Sequence, residues 1–162
     1  MTHPLRRQDR AITDAARIEE IIASARYATV ALVDGDEPYV VTLSCGYDAP
    51  RRRLCFHVAH EGRKLDIVAR NPRACATIVV DHGYSVGACE HPFESVVMTG
   101  RMRVLDDPDD AREAMRTLIV QLEGTENLPA VWDRNKLDGE AVFRRMRMLV
   151  LEIDDVTAKA GK

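Results

Sequence analysis

The feature that most constrains this chain is a run of short apolar, β-branched segments punctuated by turn signals, with few long helices between them. Six segments carry strand character: 27–33, 38–47, 54–59, 74–80, 93–105 and 147–153. Asp34-Gly35-Asp36 and Asp48-Ala49-Pro50 turn the first three back on one another. Strands alternating with long helices would indicate a doubly wound parallel sheet. The pattern here instead predicts a mainly β chain, a small antiparallel barrel with flanking helices. Gly100, inside the fifth segment, predicts a bulge or bend.

The helices sit at the start and as excursions. Thr13 is the candidate cap of a first helix whose apolar stripe is Ala16, Ile18, Ile21, Ile22 and Ala25. A short helix over about 61–69 stops at Asn71-Pro72, because the residue before proline disfavours the α conformation. Asp107 caps another, Pro108 takes its first turn, Asp109 and Asp110 complement the dipole, and Gly124 ends it. Residues 125–140 stay unassigned. Residues 1–11 read as a loose arm and 157–162 as a polar tail, leaving one domain over 1–162.

Composition removes several classes. The formal net charge of −3 argues against a general nucleic-acid binder. The runs Arg51-Arg52-Arg53 and Arg144-Arg145-Met146-Arg147 read as solvated strand ends. No apolar run approaches the ~18–20 residues that span a bilayer, so no membrane role is expected. The polar, basic start is not a signal peptide. Cys45, Cys55, Cys75 and Cys89 lack metal or redox spacing, and three lie in apolar strand segments. They read as reduced thiols of a cytoplasmic protein.

The segment from Cys55 to Asp66 carries the chemistry. A strand runs straight into a helix with Gly62, Arg63 and Lys64 at the junction. Free N–H groups, the positive end of the helix dipole and two cations make that corner a phosphate seat. His57, just upstream, is positioned to face whatever the phosphate is attached to. On the second strand Thr42 and Ser44 alternate with Val41, Leu43 and Cys45, giving one hydroxyl-lined face. His57 and His60 would lie on opposite faces of a continuous strand and could share an ion only if a loop geometry brought them together. Cys75, His82, Cys89 and His91 fit no zinc spacing, and no metal is expected. Trp132 is open between packing and stacking on a ring.

Taken together, Asp-Gly-x-x-Pro-Tyr-Val-Val (34–41), Phe-His-x-Ala-x-x-Gly-Arg-Lys-Leu-Asp (56–66), Asn-Pro (71–72) and Glu-Ser-Val-Val-Met-x-Gly-Arg (94–101) resemble the pyridoxamine 5′-phosphate oxidase-like FMN-binding split barrels. Within them the chain looks closest to the nitroimidazole-resistance branch. The resemblance implies a six-stranded Greek-key split barrel, a homodimer, and FMN in a groove between two protomers. It implies a flavin ring against Val41, Thr42, Leu43, Ser44 and against Phe56, His57, Val58. It also implies phosphate on Gly62, Arg63 and Lys64, and a hydroxyl from Ser95 near the cofactor. Two departures stand out: Thr157-Ala158-Lys159 replaces the Thr-Gly-Lys common in relatives, and the loop over 81–92 bears cysteine and histidines.

The leading expectation is an FMN-dependent oxidoreductase that passes electrons from a reductant to a small oxidised organic substrate, a nitroaromatic being one candidate. His57 would be its proton donor. No glycine fingerprint for a nicotinamide is present, so such a donor would bind transiently. The alternative is a non-catalytic protein holding FMN, a deazaflavin or haem. Oxidation of pyridoxamine 5′-phosphate itself would need a second phosphate site, for which no uncommitted Arg/Lys cluster is visible.

Overall fold

The computed structural model describes residues 6–139 and 142–161, without the side chain of Arg144. Strands β1 (Tyr27–Asp34), β2 (Glu37–Asp48), β3 (Arg53–Ala59), β4 (Arg73–Asp81), β5 (Phe93–Val104) and β6 (Met146–Gly161) close into a barrel. The ring order is β1–β2–β3–β6–β5–β4, and all neighbours are antiparallel. Period-two alternation produces the closure. Ala28, Val30 and Leu32 on β1, Ala76 and Ile78 on β4, and Val96 and Met98 on β5 all point inward and are buried. Each large side chain so buried contributes about 1.5–3 kcal/mol. Helix α1 (Ala15–Ser24), capped by Asp14 rather than Thr13, adds Ile21 and Ile22. Helix α2 (Arg63–Arg70) adds Ile67 and Val68 to the same core.

The bulge predicted at Gly100 is present. The register of β5 against β6 shifts between Thr99 and Gly100, and a Cβ at Gly100 would lie 1.9 Å from the Glu152 carbonyl oxygen. The expected polar tail is a strand as far as Gly161: Thr157 pairs with Val97, and Gly161 with Phe93. Only Ala158 of this stretch is buried, so the alternation carries too few apolar positions to be read from sequence. The arm is not loose over its described part. Ala11 bridges Lys159, and the Ile12 N–H donates to the Ala158 carbonyl at 3.0 Å. Residues 1–5 lie outside the described residues.

A second core lies outside the barrel wall. Helix α3 (Pro108–Glu123) begins as the sequence predicts, with the Asp107 carboxylate accepting from the Asp110 N–H at 2.8 Å. Its stripe of Ala111, Ala114, Met115, Leu118 and Ile119 covers Cys55 of β3 and Met148 and Val150 of β6. Gly46 of β2 lets it approach, since a Cβ there would come within 2.6 Å of the Leu118 Cα. The unassigned stretch forms α4 (Leu128–Arg134), and α5 (Val142–Arg145) follows. Trp132 packs in this second core, its indole N–H donating to Asp138 at 2.8 Å and Arg116 stacking 4.0 Å from its ring centre.

One arginine run departs from expectation. Arg53 is only 3% exposed, bonded to Asp48 at 2.9 Å and to Asp110 at 2.6 and 3.1 Å. It pins the start of α3 to the barrel, and the tie holds the Asp110 carboxyl below the usual range. The partner lies 57 residues away in the chain, beyond any local reading of charge. In the second run, Arg145 belongs to α5 and Arg147 to β6, and the Arg144 side chain is outside the described residues.

Candidate cofactor site

The barrel wall splits between β2 and β3. Their ladder covers only Cys45↔Phe56 to Asp48↔Arg53. Beyond that point β2 stays with β1 as far as Asp34↔Glu37, while β3 stays with β6 through His57↔Met148 and Ala59↔Met146. The result is a fork with one free strand edge on each side, whose backbone donors and acceptors are open to a ligand. From Cys45 to Tyr39 the β2 arm runs about 20 Å at the usual rise per residue.

The fork sorts the predicted contacts by side. Thr42 and Ser44 face outward and are exposed, and Thr42 shares a hydroxyl contact with Thr29 at 3.1 Å. Val41 and Leu43 are half-buried against the barrel core. Phe56 is fully buried and Val58 nearly so, both inside the barrel. Alternation turns both side chains inward, so at the fork these two residues offer only their backbone. Between Phe56 and Val58, His57 is the side chain that faces out at the fork. Its accessible area marks it as exposed, yet the surrounding chain desolvates the ring enough to push its pKa below the usual 6.5.

The phosphate corner stands at the mouth of the fork. Gly62 precedes α2 with φ +133°, a conformation that favours glycine, and a Cβ there would meet nothing within 4 Å. Its carbonyl accepts the Leu65 N–H at 2.8 Å, while the N–H groups of Arg63 and Lys64 have no partner within the helix. Lys64 makes no ion pair among the described residues. Arg63 is already engaged: it bonds Asp34 at 3.1 Å, lies 3.5 Å from Glu37, and stacks 5.1 Å from the Tyr39 ring centre. Arg70 and then Arg63 hold the Asp34 carboxyl below the usual range. Sequence reasoning took Asp34-Gly35-Asp36 only as a turn and missed that its first carboxylate claims the phosphate arginine.

Ser95 is not at the fork. It lies on β5, opposite Val79 of β4 and Lys159 of β6. Continuing the β1–β4 register places Ser44, Tyr27, Val79 and Ser95 on one line across four strands, so Ser44 and Ser95 are about 14 Å apart. Ser95 opens instead into a shallow groove of about 370 Å³. The surface between the two places is bare and carries exposed Tyr27 (63%), Val40 (60%) and Val79 (58%).

The metal candidates do not assemble. The β3 strand ends at Ala59, and His60 lies beyond it, 3.8 Å from Glu61. Among the described residues no three His, Cys, Asp or Glu side chains are placed to hold an ion. Cys45 and Cys55 are free thiols whose pKa burial pushes up to about 12. Among the described residues no helix is long and apolar enough to cross a membrane.

The residues at the fork fit a flavin nucleotide: a glycine corner open to an anion, a lysine beside it, free strand edges and two exposed hydroxyls. The sequence profile of the pyridoxamine 5′-phosphate oxidase family matches residues 14–160. No curated protein matches the sequence. Among solved structures, a proposed 5-nitroimidazole antibiotic resistance protein of Bacteroides thetaiotaomicron is 25% identical with a TM-score of 0.74, over 93% of this chain and 86% of its own. The flavocytochrome Anf3 of Azotobacter vinelandii is 20% identical with a TM-score of 0.77, over 98% and 72%. An FAD and heme binding protein of Mycobacterium smegmatis is 17% identical with a TM-score of 0.77, over 94% and 74%. With nearly its whole length matched, this chain belongs to the pyridoxamine 5′-phosphate oxidase family.

Proposed function

We propose that the protein is an FMN-dependent oxidoreductase acting on a small oxidised organic substrate, with nitroaromatic compounds as the first class to test. The observation that carries this is the β2–β3 fork, with His57 on one arm, Thr42 and Ser44 on the other, and Gly62 and Lys64 at its mouth. Bound flavin would supply the electron transfer. The chain's own share is to seat the phosphate on the α2 N–H groups and Lys64, and to offer hydrogen bonds from the fork edges. His57 would deliver a proton to the reduced substrate from its imidazolium form, a form that its partly desolvated setting disfavours. Arg63 joins the phosphate only by sharing or leaving Asp34.

The site is completed by a second copy of the chain. Ser95 stands too far from the fork to serve the same ring within one protomer, and the bare face between them is the surface a partner would cover. A cytoplasmic location belongs to the same reading. The similarity to a flavocytochrome and to an FAD and heme binding protein supports one other reading, a carrier that holds a flavin or haem without turnover.

The test is titration of the purified protein with FMN, followed by anaerobic addition of a nicotinamide donor and a nitroaromatic acceptor. Bound flavin that is bleached by the donor and restored by the acceptor supports the enzyme. Bound flavin that no donor reduces leaves the carrier, and a haem spectrum identifies its cargo.

A further inference from the structure

We infer that the groove over β4, β5 and β6 is an oxyanion site, taking the carboxylate or phosphate of a small amphipathic molecule between Ser95 and Lys159. Its shape follows from register. Ser95 is flanked across the sheet by Val79 and Lys159, and along its own strand by Phe93 and Val97. A small residue ringed by larger ones leaves a pit with apolar walls and a hydroxyl at its floor.

Two features give that pit its chemistry. Ser95 is only 6% exposed, yet among the described residues its hydroxyl has no hydrogen-bond partner and opens into the groove. Thus open and uncommitted, that hydroxyl is free to donate to an incoming oxyanion. The Lys159 ammonium lies 5.6 Å from the centre of the Phe93 ring and has no carboxylate within ion-pair distance among the described residues. A donor and a cation on adjacent strands thus converge on one place.

One carboxylate shares the groove without cancelling it. Asp81 stands two strands from Lys159 and two residues off its register line, about 12 Å away backbone to backbone. It already accepts the Gly83 N–H at 2.7 Å and contacts the His91 Nε2 at 2.9 Å. Both contacts tie the Asp81 Oδ1 to the 81–91 hairpin, while Lys159 brings a cation to the groove beside Ser95.

The oxyanion has two candidate sources: the phosphate of a flavin held by a second copy, or the acid group of the substrate or electron donor. Calorimetric titration of the full chain with benzoate and with inorganic phosphate, at low ionic strength and with or without saturating FMN, separates them. Wild type should bind benzoate. Lys159→Gln and Ser95→Ala should each weaken it about tenfold. Lys159→Arg and the Arg63→Ala/Lys64→Ala double variant should retain it. Benzoate binding that persists under FMN assigns the oxyanion to substrate or donor, and displacement by FMN assigns it to the cofactor. Binding unchanged in Lys159→Gln and Ser95→Ala, or absent from wild type for both probes, overturns the inference. Benzoate binding does not depend on flavin, so a protein that ignores FMN but binds benzoate would sink the proposed function and leave this site standing.

Discussion

The outer surface of this barrel has two faces built by the same alternation and used in opposite ways. On β3 and β6 the outward residues Cys55, Met148 and Val150 are apolar, and α3 buries them in a second core. On β1, β2, β4 and β5 the outward residues are Thr29, Thr42, Ser44, Thr77, Ser95 and Val97, interspersed with exposed tyrosine and valine. The first face is finished within the chain. The second is too apolar for a purely solvated face and too polar for a core, the composition that the proposed ligand and partner contacts require. The fork and the Ser95 groove both open on this second side.

The comparison can be broken most forcibly at the finished face. Arg53→Ala removes the buried cation between Asp48 and Asp110 and should cost about 3–5 kcal/mol in denaturant unfolding. A loss below 1 kcal/mol would mean that α3 is held by its apolar stripe alone. Gly46→Val, whose side chain would meet the backbone at Leu118, should cost about 1–3 kcal/mol by lifting α3 from β2.

The bare face should respond differently. Val79→Lys puts a charge on an exposed position and should change protomer stability by less than about 0.5 kcal/mol. Sedimentation should nonetheless show it shifting the protein toward monomer, because a charge would enter the proposed contact. A variant that unfolds the protomer would make this face structural after all.

The smallest effect belongs to His57. Its folded pKa lies below 6.5, so as pH falls through 6.5 the unfolded chain takes up the proton first. The contribution is therefore destabilising on the acid side and vanishes above about pH 7.5. His57→Gln should flatten the slope of stability against pH between 5 and 7, and an NMR titration of the ring should give a midpoint below 6.5.

These differences also mark what the sequence made legible. The six strands, the Gly100 bulge and the Asp107 cap each depend on neighbours within a few residues, and local pattern carries them. The arginine run was misread because Asp110, which buries Arg53, arrives through the fold. Arg63 was taken as a free cation for the same reason, since Asp34 meets it across a hairpin rather than along a helix. Thr157 to Gly161 passed for a tail because a strand whose outward face is polar and whose inward face has one alanine has no hydrophobic signature. That Lys159 and His91 meet beside Ser95 had no local signal, because three separate segments supply them.

The central claim is that each cofactor site takes its fork from one protomer and its Ser95 groove from another. Mixing two variants after partial unfolding tests it directly: Arg63→Ala/Lys64→Ala, with a crippled fork, and Ser95→Leu, with a filled groove. Each alone should fail to retain FMN. If the halves come from two copies, the mixed dimers regain one intact site and the refolded mixture retains about a quarter of the wild-type flavin. If the mixture retains no more flavin than either variant alone, the site lies within one protomer and the claim is wrong.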